Sequence, residues 1–219
     1  MIAMGSLLDL AFILVVVIDF FLLSSSRMGA AIRVVALQGG LLGVLPLMLA
    51  PPGEPLGHHL VLAVGALAVK GVFIPWLMFR AIREASMRRE VEPIVGFVPS
   101  MVLGGIGVAL AFAFSSRLPL PDLREAHPFL VPTALSTVWT GLLLVVSRKK
   151  AVNQVLGFLV LENGVFVFGL LLSDFMPLMV EAGVLLDLFA AVFVMGIVMF
   201  HIHREFSSLD TEKLSALRD

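Results

Sequence analysis

The sequence predicts an all-α integral membrane protein whose seven transmembrane helices form a 3+1+3 parallel internal repeat. Three observations carry this: seven apolar runs of spanning length, basic residues gathered in alternate connections, and a self-match at constant offset. A hydrophobic content of 59% against 14% charged residues, with mean hydropathy +1.06, lies far from that of a soluble domain of 219 residues.

The runs fall at about 6–23, 34–50, 59–80, 95–114, 128–146, 152–172 and 178–201, each near the roughly 20 residues that a helix needs to cross hydrocarbon. No Lys or Arg precedes the first run, and its length exceeds that of a cleaved signal, so it is expected to remain as a helix. Asp9 and Asp19 flank it, with Asp19 close to the inner surface. In the second run Arg33 and Gln38 lie toward the inner end, where Arg33 can snorkel to the surface. The third run has Lys70 at its centre, followed by Gly71 and Pro75. Proline has no N–H and frees the carbonyl of Gly71, so a kink is expected beside the lysine.

The fourth run carries no charge and inverts the chain between two three-helix units. The sixth holds Glu162 at its middle, a carboxylate that costs roughly 3 kcal/mol at such depth unless it is paired or protonated. Asn163-Gly164 follows directly, and Gly164 is a candidate hinge or π-bulge. The seventh run carries Glu181 and Asp187, which point roughly 120° apart on a helix and so face different neighbours. The tail after Ser207 reads as a short helix, with Asp210 as N-cap and Leu209 and Leu214 as a hydrophobic staple.

Orientation follows from charge. The connections before spans 2, 4 and 6, together with the tail, hold basic residues from Arg27 and Arg33 through Arg80–Arg89 and Arg148-Lys149-Lys150 to Arg204, Lys213 and Arg218. The alternate connections hold only Arg117 and Arg124. The positive-inside rule then places the N-terminus outside and the C-terminus in the cytoplasm.

Shifting the chain by 121 residues lays Ser26-Arg27 on Ser147-Arg148, Gly43 on Gly164, and Arg83-Glu84 on Arg204-Glu205. The shift crosses four helices, so the copies share one orientation, in agreement with the charge count. The organisation expected is a first repeat over 1–86, a single inverting helix with its connections over 87–120, a second repeat over 121–207 and a cytoplasmic tail over 208–219. The copies have diverged electrically, since Glu162 falls opposite Leu41 and Lys70 opposite Ala191. Parallel repeats of this type place functional sites at the repeat interface.

Chemistry is bounded by what is absent. Without cysteine there are no disulfides, iron–sulfur ligands or thiolate metal sites. His58 and His59 lie at the opposite membrane face from His201 and His203, so haem ligation is not expected. A net charge of −1 gives no hint of nucleic-acid binding. What remains is a set of intramembrane ionisable groups, Lys70, Glu162, Glu181 and Asp187, of the kind that marks proton or ion paths.

The stretch from Arg148-Lys149-Lys150 to Glu162-Asn163, then Val180-Glu181-Ala182-Gly183, resembles the small K subunit of respiratory complex I over roughly 128–219. The longer seven-helix layout and the tail, with Leu209-Asp210 and Leu217-Arg218-Asp219, are more similar to the hydrogenase-4 component E branch of that family. The resemblance implies two membrane glutamates on successive helices that help to move protons, matching Glu162 and Glu181. This chain adds Asp187, so the second acid's work falls to Glu181 or Asp187; Lys70 and the first repeat have no counterpart in the short K subunit. The implied function is a non-redox subunit of a complex I-like or group 4 hydrogenase/formate hydrogenlyase-type complex in the cytoplasmic (inner) membrane. Its expected partners are antiporter-like membrane subunits, a quinone-site or proximal membrane subunit and peripheral redox subunits. Iron–sulfur clusters, with a nickel–iron or other metal centre, belong to those partners, and no cofactor is expected here. The alternatives are a scaffold with static charge pairs, or a freestanding small-solute transporter.

Overall fold

The computed structural model describes residues 2–49, 56–84, 93–118, 128–172 and 196. The seventh span, with Glu181 and Asp187, and the tail lie outside the described residues. Within them the fold is helical: α1 (Ile2–Ser24), α2 (Met28–Met48), α3 (Leu56–Ala66), a π-helical segment (Leu67–Phe73), α4 (Ile74–Glu84), α5 (Phe97–Ser115), α6 (Leu130–Ser147) and α7 (Ala151–Leu172). α3, the π segment and α4 together form one span, so the described residues contain six helices long and apolar enough to cross a membrane.

Three-residue connections fold α1 onto α2 and α6 onto α7 as hairpins. The hairpins face each other, α1 packing against α6 and α2 against α7. The third span lies along α2, and α5 lies along α1 and α6. The α1–α2 corner, the lead-in to α5 and the α6–α7 corner converge at one end of the bundle. Arg148 ties them: its Nη2 donates to the Leu23 carbonyl at 2.7 Å and its Nη1 to that of Val95 at 3.3 Å, with the guanidinium 5.1 Å from the Phe97 ring. The Ile94 N–H adds a bond to the Ser147 carbonyl at 2.7 Å.

Large apolar side chains remain exposed around the bundle, among them Leu10, Val61, Val72, Val98, Leu110 and Val146. With no water in hydrocarbon, such a surface costs nothing, while helices satisfy their own backbone groups. The interior is divided into three layers. One apolar cluster, at the Arg148 end, joins Ile18, Leu22, Met28, Ile32, Val35, Met78, Val155 and Leu159. The second, at the other end, joins Phe12, Val15, Leu42, Leu45, Val131, Ala134 and Val167. Between them lies a layer of buried polar side chains.

Two helices differ from expectation in ways that set this layer. α2 begins at Met28, six residues before the expected start at about 34, because Arg33 sits exposed on its outer side instead of marking the membrane edge. That moves Gln38 from the inner end of the span to its middle. In the third span the departure from α geometry covers Leu67–Phe73, where the Ile74 N–H bonds the Val69 carbonyl five residues back. Pro75, which offers no N–H to the preceding turn, follows at once. Lys70 and Gly71 therefore lie within the widened turn. α7, by contrast, runs as α-helix through Gly164. A Cβ on Gly164 would lie 2.6 Å from the Val138 nitrogen and 2.8 Å from the Ala134 carbonyl oxygen, so this glycine serves close packing of α7 on α6.

Candidate functional site: a buried charge layer

Lys70 projects from the π turn into the bundle and is 6% exposed; Glu162, midway along α7, is 2% exposed. Their side chains meet, with Nζ 3.2 Å from Oε1. α2 permits the approach because Gly39 faces the lysine: a Cβ there would stand 2.8 Å from the Lys70 Cβ. The ammonium also donates to Asn163 Oδ1 at 3.4 Å and lies 5.0 Å from the centroid of the Phe166 ring. Breaking such a pair leaves an uncompensated buried charge, so each partner depends on the other.

From Asn163 the contacts continue across the bundle. Its Nδ2 donates to Gln38 Oε1 at 3.2 Å, Gln38 Nε2 donates to Asp19 Oδ1 at 2.9 Å, and Thr137 Oγ1 donates to Asp19 Oδ2 at 2.8 Å. All of these side chains are buried. The chain of contacts draws on α1, α2, α6, α7 and the π segment, so one hydrogen-bonded path crosses five elements. Beside its lysine end is a cavity of about 10 Å³, the size of one water molecule, lined by Ile32, Val35, Ile74, Pro75, Met78 and Leu159 with Lys70, Glu162 and Asn163.

The structure thus brings together Lys70 and Glu162, and places Gly71 and Pro75 in and directly after the turn that presents the lysine. Glu181 and Asp187 lie outside the described residues. Sequence reasoning missed four members of the layer. It put Asp19 close to the inner surface and Gln38 toward the inner end of its span, and it read Asn163 for its neighbouring glycine. Thr137 drew no notice, since hydroxyls are common in membrane helices. The available signal was the cost of a carboxylate and two amides within apolar runs, each of which demands a partner. Among the described residues, no three His, Asp or Glu side chains gather into a metal site.

A multi-pass bundle with a charge layer sealed between two apolar cores is the class of protein that these features define. The family model described as NADH-ubiquinone/plastoquinone oxidoreductase chain 4L matches residues 129–219. An uncharacterized protein of Mycobacterium tuberculosis is 35% identical over 194 residues, covering 87% of this chain and 86% of the relative. Hydrogenase-4 component E of Escherichia coli is 28% identical over 159 residues, covering 73% of each chain, and that of Shigella flexneri matches equally. No solved structure matches the chain. The family-model match and the hydrogenase-4 component E relatives together support the resemblance to the hydrogenase-4 component E / complex I subunit K-like family of membrane subunits.

Proposed function

We propose that this chain is a non-redox membrane subunit of a complex I-like or group 4 hydrogenase/formate hydrogenlyase-type complex, in which Lys70 and Glu162 form one step of a proton (or cation) path. The observation that carries this reading is the ion pair itself, at 3.2 Å and at mid-span on both helices. Burial penalises each charge, so the ionised pair and its neutral, proton-transferred form lie closer in energy than they would in water. A proton arriving at or leaving Glu162 then changes what Lys70 must bind. The adjacent cavity gives room for a water to serve that exchange, and the π turn is a local element able to shift the lysine.

On this reading the Arg148 end faces the cytoplasm, and Glu181 or Asp187 takes the path onward in the seventh span. Electrons run in peripheral redox subunits that hold iron–sulfur clusters and a nickel–iron or other metal centre. Antiporter-like subunits and a quinone-site or proximal membrane subunit are the neighbours in the cytoplasmic (inner) membrane.

The test is Glu162→Gln in the intact complex, with proton uptake into membrane vesicles followed during redox turnover. The variant is expected to assemble normally and to translocate at least about a hundredfold more slowly, the lower end of what removing a positioned proton-transfer group costs. Translocation at the wild-type rate would remove the relay role.

A further inference from the structure

Reading the layer from its ends exposes a direction. A lysine ammonium can only donate, so Asn163 must turn its oxygen toward Lys70, which leaves its NH₂ for Gln38. Gln38 must therefore offer its oxygen to Asn163 and its own NH₂ to Asp19. Every donor in the series points the same way, from a cation at one end to a carboxylate at the other. Thr137 donates to the remaining oxygen of that carboxylate.

We infer that Asp19 is a second proton-binding acid of this site: Lys70 is held between two carboxyls, Glu162 by direct contact and Asp19 through the aligned amides of Asn163 and Gln38, and the three groups share one proton. The count decides this. Among the described residues, one cation against two carboxylates (+1 − 1 − 1) is a net −1 between the two apolar clusters, and an uncompensated buried charge is what proteins avoid by taking up a proton. No other cation relieves it among the described residues packed there. α5 and α6 have no titratable side chain, α2 contributes only Arg33, which is exposed, and Arg148 is engaged with carbonyls at the bundle end. α7 contributes Glu162, α1 adds the half-buried Asp9 ten residues before Asp19, and the third span contributes Lys70, with its half-buried His59 and exposed Arg80 and Arg83 at the ends of the span. Asp19 can also hold the proton without losing its contacts: its Oδ1 keeps the Gln38 N–H, and the Thr137 hydroxyl turns from donor to acceptor.

The amides pass on polarisation and carry no proton themselves. When Glu162 is ionised it neutralises Lys70 and Asp19 is protonated; when Glu162 takes up a proton from the path, Asp19 gives one up to it, and Lys70 is balanced by the ionised Asp19. The site therefore alternates between two neutral states and avoids a bare ammonium at mid-membrane. This deepens the relay reading and rests on it for its use in transport.

Infrared spectroscopy of the full-length chain in lipid nanodiscs at neutral pH tests the count through the carbonyl stretch of protonated carboxylic acids. Relative to wild type, Asp19→Asn and Glu162→Gln should each lose one protonated carboxyl, since the remaining acid ionises against Lys70. Lys70→Met should gain one, because both acids are then unbalanced. A spectrum unchanged in Asp19→Asn, or no gain in Lys70→Met, overturns the inference. Both Asn and Gln here are isosteric, and the glutamate and lysine variants read the same proton from the other end should Asp19→Asn fold poorly. An unchanged Asp19→Asn spectrum combined with lost pumping in Glu162→Gln retains the relay and sinks the shared proton; the expected spectra combined with unaffected pumping do the reverse.

Discussion

Glu162 and Lys70 each carry a cost that neither could bear alone. At 3.2 Å and within a few per cent of full burial, the pair has little water to fall back on, so removing one partner shifts the proton on Asp19 and leaves a polar contact unmade. Lys70→Met or Glu162→Gln alone is expected to lower stability by about 1–3 kcal/mol, the cost of a buried polar group that loses its partner. Combining the two should recover most of that loss, measured as a double-mutant cycle of unfolding in mixed micelles. The pair was legible from sequence because a carboxylate or an ammonium inside an apolar run announces its own expense. Asp19, Gln38 and Thr137 were harder to place. Their importance depends on helix register and on which faces meet, and an error of a few residues at a helix start moved Gln38 from the centre of the layer to its edge.

At the level of elements, the site is made by the backbone as much as by side chains. Pro75 and the π turn that precedes it present Lys70, and Gly39 clears the space that the lysine occupies. Gly39→Ala would place a Cβ 2.8 Å from the Lys70 Cβ and 3.2 Å from its carbonyl oxygen. Neither α2 nor the π segment can yield without disturbing the layer, so a destabilisation of about 1–3 kcal/mol is expected, read as a lowered melting temperature in detergent. The sequence marked this region through Gly71 and Pro75, since a missing N–H is a local property. It could not distinguish Gly164 as a packing residue from Gly164 as a hinge, because that depends on how close α6 comes.

Among the described residues, two hairpins flanked by the third span and α5 close on a polar layer, with an apolar cluster on either side of it. Counterparts at the 121-residue offset do not contribute alike: Asp19 falls opposite Thr140, Gln38 opposite Leu159 and Glu162 opposite Leu41. The layer is thus assembled from non-equivalent positions, which a self-match of the sequence cannot display. Arg148 closes the bundle end by joining α1, the lead-in to α5 and the α6–α7 corner, whereas its offset counterpart Arg27 is exposed. Arg148→Met would leave the carbonyls of Leu23 and Val95 without this donor, at an expected cost of about 2–3 kcal/mol in thermal stability. Arg27→Met should leave stability nearly unchanged.

Both a relay and a static scaffold predict that the double variant Lys70→Met/Glu162→Gln folds well, so transport separates them. The direct measurement is proton translocation per redox turnover in the intact complex carrying that double variant, in sealed membrane vesicles. The relay account predicts assembly at wild-type yield with translocation lost, because Glu162 and Lys70 are gone and Asp19 has no second acid with which to alternate. Wild-type translocation from the same assembled complex would contradict it and leave the pair a structural lock.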